Sequence, residues 1–549
     1  MEKLNRVFFL GADSPSQKYF LFAFISIVYL FNFHINDIWT PNESFYAEAV
    51  REMFESGNFL DIFYNYEPRY NKPPLTYWAM AASAAIFGMN EFALRLPIVL
   101  MGLGSIWLTF LLGRLMYGDK GGIYAMVMMA FSLQLLAVKQ YASPEMPLTF
   151  FFTLTMYWFL KGYRTEKFKF ILLAYVALGL TILTKGYPYL VVIGGIIGLY
   201  TLWDNWRNWS QLWNKVKLFK LHLGIPIVLL LGLSWVIFMY LKDGQEFWTV
   251  YKRETFDRAF TRESNGLKPF FYWGVMSWTI IPYSLCFFYS LIYWVINWRN
   301  LSKVAFQMSW FIVMLIVFTA AKGKIPTYFI QAHPALVLLI VPLLLDFQPK
   351  PMAKLVWDFT FGLVPIVLIG ASFYMVYFLN LHWFLYVFPL IGLVLYLLWL
   401  TGSKTAERNV MIPFWSMATF LIVFASYFPR MEKFRPYDEL GSVISESSVI
   451  AQNTPIYIEN TLIHNIPFYA ARRSIRDANP EMVNQSQGLT LALVKTENVS
   501  DYIGFNTLWT GYFYDFPSES QFFKFVMACL EAEKGDLSKF AEYQLILRE

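Results

Sequence analysis

Long apolar runs recur through most of the chain, and they restrict its fold more than any other feature of the sequence. Their usual length, about 17 to 25 residues, is that of a helix crossing a hydrocarbon core about 30 Å thick. Charged residues make up only 15% of the 549 residues, against about a quarter in an average soluble domain. The sequence therefore predicts an all-α, polytopic membrane bundle.

About thirteen membrane spans are predicted, and the loops between them alternate in charge. Lysines and arginines gather in every second loop, and such loops face the cytoplasm in membrane proteins. This pattern places the N-terminus in the cytoplasm and the C-terminal segment outside. The predicted spans are residues 18–36, 93–115, 121–140, 146–162, 168–183, 187–204, 221–242, 270–296, 305–321, 326–346, 355–378, 382–401 and 409–428.

The first outer loop, residues 37–92, contains an apolar segment at 74–90 that is not counted as a span. Counting it would move most of the basic loops to the outside, against the usual charge distribution. We therefore expect this segment to form an interfacial helix on the outer surface of the membrane.

The composition changes after residue 430. Short strand-like runs alternate with helical stretches between residues 431 and 549, which is typical of a small α/β domain. We divide the chain into a transmembrane domain, residues 1–430, and a soluble α/β domain, residues 431–549, on the outer side.

Charge and cysteine content argue against a nucleic-acid site and against a metal centre built on cysteines. The formal charge of +6 is small, and the basic residues lie mostly in short loops, so nothing indicates a nucleic-acid partner. The two cysteines, Cys286 and Cys529, have no metal-binding spacing, and no metal site is predicted.

Two carboxylates at the outer ends of spans, Glu43 and Glu145, are candidate catalytic residues. A carboxylate in such a place can take a proton from an acceptor or hold a metal ion. Each also has a plain structural explanation, because the helix dipole stabilises an acidic residue at a helix N-terminus. The residues alone leave both explanations open.

Several outward lysines run against the usual charge bias. Lys72, fixed by the two prolines that follow it, is a candidate partner for a lipid phosphate, with an ordinary interfacial lysine as the alternative. Lys324 shares a turn with Lys322, and a retained anionic partner explains two outward lysines better than topology does. Lys185 is favoured as an interfacial anchor, and Arg95 as a partner in a structural ion pair.

Taken together, these motifs resemble those of the lipid A aminoarabinose transferases, relatives of the protein O-mannosyltransferases. The likeness covers residues 18–345 and keeps the same motif order. The motifs are Glu-Ser-Phe-Tyr-Ala-Glu (43–48), Lys-Pro-Pro-Leu-Thr-Tyr-Trp (72–78), Phe-Gly-Met-Asn-Glu-Phe-Ala-Leu-Arg-Leu-Pro (87–97), Pro-Glu-Met-Pro-Leu (144–148), Leu-Thr-Lys-Gly (183–186) and Lys-Ile-Pro-Thr-Tyr (324–328).

The resemblance implies a GT-C fold and an inverting membrane glycosyltransferase. Such an enzyme takes a sugar from a polyprenyl-phosphate donor and passes it to a lipid, glycan or protein acceptor on the outer face of the bacterial inner membrane. The family's acidic pair falls on Asn42 and Glu43, and its second-loop acid on Glu145. The resemblance implies that the residues contacting the donor are Tyr46, Lys72, Arg258, Lys324 and Tyr328.

Three residues depart from the pattern of the lipid A enzymes. Asn42 cannot act as a base, Phe45 stands in place of an arginine, and Asn71 replaces an acid. The chain thus lacks the metal ligands of that family. Whether the protein binds a divalent cation is left open. An acceptor phosphate, already ionised at neutral pH, would need no strong base, whereas a hydroxyl would need Glu43 or Glu145.

Two other functions are weighed against sugar transfer. A transporter or flippase predicts polar residues at mid-membrane and paired broken helices, whereas the polar residues here gather at the outer boundary. A catalytically lapsed relative that only binds a lipid phosphate is suggested by Asn42.

Overall fold

The structure, a computed structural model, describes residues 16–257, 269–346, 351–402, 405–447, 449–451, 453–459, 464–514 and 521–549. Helices dominate up to residue 446, and their apolar side chains form one large buried core. A five-stranded sheet follows in the C-terminal part. The predicted all-α membrane bundle with a small C-terminal α/β domain is confirmed.

The helices before the sheet are named here in chain order. They are α1 (Gln17–Leu30), α2 (Asn42–Ser56), α3 (Leu75–Phe87), α4 (Glu91–Ala130), α5 (Leu133–Val138), α6 (Glu145–Thr165), α7 (Phe168–Lys185), α8 (Pro188–Asn205), α9 (Trp209–Phe219), α10 (Leu221–Gly232), α11 (Ser234–Lys252), α12 (Phe271–Thr279), α13 (Ser284–Ile296), α14 (Ala305–Ala320), α15 (His333–Leu345), α16 (Pro351–Asp358), α17 (Val364–Phe378), α18 (Val387–Thr401), α19 (Ala406–Ala425), α20 (Phe428–Met431) and α21 (Tyr437–Glu446).

Short 3₁₀ and π segments connect several of these helices. The 3₁₀ segments before residue 437 are Trp298–Val304, Pro326–Ala332, Trp383–Tyr386 and Glu432–Phe434, and the π segments are Arg253–Asp257 and Phe359–Leu363.

Seven of the helical stretches in the described residues are long and apolar enough to cross a membrane, and α10 with α11 would form an eighth, bent by 51°. The chain is therefore a multi-pass membrane protein. The number thirteen stays a prediction, because some predicted spans are divided into shorter helices. The predicted third span, residues 121–140, for example, begins in α4 beyond a non-helical Gly118 (φ 77°) and is interrupted between α4 and α5.

Residues 37–92, the predicted first outer loop, contain two helices and a small hairpin. Helix α2 follows α1, and the strands β1 (Phe63–Tyr64) and β2 (Glu67–Pro68) pair antiparallel before α3 begins. With 13 residues, α3 is about 20 Å long by the helical rise, too short to cross the hydrocarbon core. The segment 74–90 thus forms the helix that was predicted.

The C-terminal sheet mixes parallel and antiparallel strands. Its order is β4-β3-β5-β7-β6, with β3 parallel to both β4 and β5, and β7 antiparallel to β5 and β6. The elements are β3 (Ile456–Ile458), α22 (Ile466–Ala470), β4 (Ser474–Arg476), α23 (Pro480–Asn484), β5 (Thr490–Lys495), a 3₁₀ segment (Thr496–Asp501), β6 (Asn506–Tyr514), α24 (Phe522–Ala532) and β7 (Phe540–Arg548).

The C-terminal part packs directly on the membrane bundle. One apolar cluster joins Trp39, before α2, to the ends of α17 and α19 and to the buried side of α24. The predicted domain boundary at residue 430 therefore lies inside one apolar cluster. At this point α20 is followed by the segment Glu432–Phe434 and then by α21.

Candidate active site

A cavity of about 110 Å³ lies among the ends of several helices. Lys72 reaches it from the loop between α2 and α3, Lys185 from the end of α7, and Tyr328 from the 3₁₀ segment before α15. Chain segments far apart in sequence therefore bring two ammonium groups and a phenol to one wall. The full lining is Lys72, Lys185, Pro188, Tyr189, Glu254, Thr255, Phe318, Ala321, Gly323 and Tyr328.

Glu145 and Lys185 form an ion pair at this cavity. Lys185 Nζ lies 3.0 Å from Glu145 Oε1, and the two side chains are only 9% and 16% exposed. Glu145 begins α6 and Lys185 ends α7, so the dipole of each helix stabilises the charge at its end. The ammonium also lies 5.1 Å from the centre of the Tyr328 ring, which leaves it facing both an acid and an aromatic wall.

Tyr46 belongs to a stack of side chains beside the pair. Its ring is 4.6 Å from that of Tyr77 and nearly parallel to it, and it is 4% exposed. Arg69 Nε donates to Tyr77 Oη over 3.3 Å, and its guanidinium lies 4.4 Å from the centre of the Phe45 ring. The half-buried Arg69 thus lies against the ring of Phe45. Phe45 is the position at which the resemblance implies an arginine in the lipid A enzymes.

Glu43 has a different environment from Glu145. Arg95 binds both of its oxygens, at 2.8 and 2.9 Å, and neither side chain has any exposed surface. The backbone N–H groups of Trp39 and Ala142 donate to the same carboxylate at 2.7 and 2.8 Å. Glu43 therefore ties α2 to α4 and to the segment before α6, and its predicted role in proton transfer stays a prediction.

The other predicted residues are dispersed. Asn42 is exposed as the first residue of α2. Lys324 is 2% exposed, and its ammonium donates to the Ala321 carbonyl oxygen at the end of α14. Arg258 lies outside the described residues. Of the five predicted donor-contacting residues, the cavity wall includes Lys72 and Tyr328.

Residues from the C-terminal part hold the chain just before α2. The buried Arg435 donates to the carbonyl oxygens of Asp37 and Ile38 at 2.9 and 2.8 Å, and lies 4.0 Å from the centre of the Trp39 ring. Asn465 donates to the Ile38 carbonyl oxygen as well, and accepts from Ser44 Oγ. The entry to α2 is therefore built by both ends of the chain.

Helix α2 also buries two carboxyl groups one turn apart, Glu48 and Glu52. Burial raises the pKa of Glu48 to about 8, a hydrogen bond with Glu52 adds to the rise, and Arg51 opposes it. A raised acid pKa gives stability that is complete below the ordinary value of 4.5 and is lost as the pH rises to about 8.

We expect Glu48→Gln to flatten the dependence of the unfolding temperature on pH between about 5 and 8, because the amide stays neutral in both states. Thermal unfolding in detergent at several pH values measures this. Glu55→Gln is the matched control, since Glu55 pairs with the same Arg51 but is 45% exposed. Equal slopes for the unsubstituted protein and Glu48→Gln would contradict the argument.

No step is assigned to a metal ion. Within the described ranges, no group of three or more His, Cys, Asp or Glu side chains is arranged to hold one.

Sequence reasoning missed Lys185 and Arg69 as members of the site. Lys185 was favoured as an interfacial anchor, yet its ammonium is paired and lines the cavity. Its position opposite Glu145 was detectable in principle, because spans four and five are neighbours and both residues lie at outer ends. Arg69 carried no such signal, since it precedes Lys72 in a loop whose path the sequence does not fix.

Comparisons with known proteins find a matching family model and several similar proteins. A family model described as dolichyl-phosphate-mannose-protein mannosyltransferase matches residues 18–251. An uncharacterized protein of Aquifex aeolicus is 32% identical over 84% of this chain and 88% of its own length. An undecaprenyl phosphate-alpha-4-amino-4-deoxy-L-arabinose arabinosyl transferase of Pseudomonas fluorescens is 28% identical over 56% of this chain. This chain spans 54% of that relative.

One solved structure shares the fold over nearly its whole length. The crystal structure of ArnT from Cupriavidus metallidurans bound to undecaprenyl phosphate superposes with a TM-score of 0.73. The match covers 90% of this chain and 97% of the other at 18% sequence identity. At this identity the likeness concerns the fold.

Proposed function

We propose that this chain, which belongs to the GT-C membrane glycosyltransferases of the aminoarabinose transferase and protein mannosyltransferase type, is an inverting glycosyltransferase. It transfers one sugar from a polyprenyl-phosphate donor. The acceptor is a lipid, a glycan or a protein hydroxyl at the outer face of the membrane. We place the enzyme in the inner membrane of a bacterium, with the N-terminus in the cytoplasm and residues 431–549 outside.

The observation that carries this proposal is the cavity with Lys72, Lys185 and Tyr328 on its wall. A polyprenyl-phosphate sugar has a lipid tail, a phosphate and a sugar, and its phosphate must lie at the membrane boundary. Two lysines at that level are suited to the phosphate, because an ammonium in a half-buried site attracts an anion more strongly than in water. Phe318 and Pro188 supply an apolar wall for the adjoining lipid.

The same lysines would also assist the reaction. When the acceptor oxygen attacks the anomeric carbon from the opposite side, the bond to the phosphate oxygen breaks and the configuration inverts. Negative charge then grows on the departing polyprenyl phosphate. Lys72 and Lys185, already in place, stabilise that charge without having to reorganise.

Glu145 is the candidate to receive the acceptor's proton. Its carboxylate is 16% exposed, beside the cavity, whereas Glu43 is fully enclosed by four donors. A base must come within hydrogen-bond reach of the proton it takes, and the enclosed Glu43 has no surface to offer. We therefore assign Glu43 to positioning α2, with Asn42 exposed at its start.

Replacing Lys72 by glutamine is expected to raise KM for the lipid-linked sugar and to lower kcat/KM by about tenfold or more. The reason is the loss of a charge-assisted contact to the donor phosphate, about 1.5–3 kcal/mol. Initial rates over a range of donor concentrations measure this. Lys242→Gln is the matched control, since Lys242 is 44% exposed and pairs with Asp61. Unchanged kcat/KM in the Lys72 variant would contradict the assignment.

The function itself is tested with purified protein and a panel of radiolabelled polyprenyl-phosphate sugars, with envelope lipids as acceptors. Transfer to any acceptor, detected by mass spectrometry as a covalent product, supports the proposal. Absence of transfer from every donor would refute it.

The two alternatives predict different results. A flippase would move the lipid-linked sugar across proteoliposomes without a covalent product. A lapsed relative would bind polyprenyl phosphate without turnover, and Asn42→Asp would leave it inactive.

A further inference from the structure

Helix α24 of the C-terminal part carries an exposed apolar side. Phe523 is 76% exposed and Met527 is 51% exposed, and residues four apart lie on the same side of a helix. The opposite side is buried, with Phe525 and Cys529 at 0% exposure. A large exposed apolar side on a helix that is otherwise packed is typical of a contact surface.

The two ends of α24 lie against the outer ends of membrane helices. The Phe522 ring is 6.0 Å from Phe424 and 6.1 Å from Phe428, where α19 ends and α20 begins. Just beyond the other end of α24, Lys534 Nζ lies 4.8 Å from the centre of the Phe378 ring, the last residue of α17. The helix therefore runs along the level at which α17 and α19 end.

Side chains around that level mark it as the boundary between lipid and water. Trp383 is 75% exposed and Tyr377 is 76% exposed, on either side of the turn between α17 and α18. Tryptophan and tyrosine are concentrated at membrane interfaces, where their rings reach lipid and their polar groups reach water. Below this turn, the exposed Val367 and Val394 give α17 and α18 lipid-facing surfaces.

We propose that α24 is an interfacial helix whose Phe523 and Met527 enter the outer leaflet between lipid headgroups and acyl chains. The occupant of this surface is phospholipid, because α24 contacts the ends of α17 and α19 at the level where Tyr377 and Trp383 are exposed. The exposed Lys524 and Lys534 add favourable contacts with anionic headgroups.

This contact has a consequence for the domain that α24 belongs to. Lipid as well as protein holds the C-terminal domain against the membrane, directly beside Trp39 and the start of α2. The ring of Trp39 lies 5.6 Å from Phe522 and 6.0 Å from Phe525.

The test uses the full-length protein in nanodiscs of phosphatidylethanolamine and phosphatidylglycerol. Phe523→Cys and Met527→Cys are prepared separately and labelled with bimane, and phospholipids with a nitroxide near the top of the acyl chain are added as quenchers. Both native thiols, Cys286 and Cys529, are buried, and labelling of the unsubstituted protein gives the background. We expect nitroxide lipid to quench both labels at least twofold.

Met482→Cys is the matched control. Met482 is 45% exposed on α23, and its neighbour Val483 packs with Ala492 and Val494 on one face of the sheet. The helices α21 and α22 pack on the other face, toward the membrane bundle. Quenching at 523 and 527 but not at 482 supports the proposal. No quenching at 523 and 527, or equal quenching at 482, overturns it, whatever the catalytic activity is.

Discussion

Replacing Lys185 by methionine is expected to lower kcat for sugar transfer by about 100- to 1000-fold, as removal of a preorganised donor to a developing anion does. The ammonium lines the cavity, is 9% exposed and is held by Glu145, so it is already in place when charge develops on the leaving phosphate. Methionine keeps most of the side-chain volume and removes the charge. Single-turnover rates with the lipid-linked sugar that the unsubstituted protein transfers provide the measurement.

The control for this result is Lys242→Met, at a lysine that is 44% exposed and does not line the cavity. It should leave kcat within about twofold, since Lys242 has no contact with the donor phosphate in the proposed arrangement. A Lys185 variant with undiminished kcat would show that the donor phosphate binds elsewhere. A loss of folding is excluded if the variant keeps its unfolding temperature.

Glu145→Gln separates the two classes of acceptor. With a hydroxyl acceptor, loss of the base is expected to lower kcat by about 10²–10⁴-fold. With a phosphate acceptor no proton needs to be removed, and only the smaller effect of releasing Lys185 from its ion pair remains. Comparing this variant on both acceptors therefore tests the role of Glu145 separately from that of Lys185.

The second large effect concerns stability. Arg95→Met is expected to destabilise the protein by about 3–5 kcal/mol, because it leaves the Glu43 carboxylate buried without its charge partner. Both side chains have no exposed surface, so water cannot take the place of the guanidinium. Thermal unfolding in detergent, followed by circular dichroism and by the fraction that stays monodisperse, provides the measurement.

A double variant makes this prediction specific. In Arg95→Met/Glu43→Gln the uncompensated charge is gone, so the double variant is expected to be more stable than Arg95→Met alone. Arg473→Gln is the surface control, as Arg473 and Glu67 are 59% and 68% exposed. If the double variant is the least stable of the set, the carboxylate is not the source of the cost.

Much of the fold followed from the sequence, because apolar runs and basic loops obey the simple physics of a bilayer. The α/β character of the C-terminal domain was predicted from its alternating strand-like and helical stretches, and the helix within residues 74–90 from the charge of the loops around it. The site was predicted less well. Lys72 and Tyr328 line the cavity, whereas the Lys324 ammonium binds the Ala321 carbonyl oxygen at the end of α14. The sequence did not predict this difference, because a flexible lysine side chain can extend in more than one direction from the same loop.

The partners of Glu43 and Glu145 show where sequence reasoning reaches its limit. Both acids begin helices at the same level, and their sequence surroundings do not distinguish them. The structure gives Glu43 a guanidinium from 52 residues away and Glu145 an ammonium from 40 residues away. Which acid is enclosed and which pairs with a lysine of the cavity wall depends on helix packing, and that is not encoded in a local pattern.

The Arg435 contacts to residues 37 and 38 have a consequence for how the protein is made. The guanidinium and the carbonyl oxygen of Ile38 are 397 positions apart, and the contact of Asn465 spans 427. A ribosome synthesises the segment before α2 long before it reaches either partner. Maturation of the start of α2 must therefore wait for the last part of translation, and a nascent chain stopped before residue 435 would present this segment unfinished to quality-control proteases.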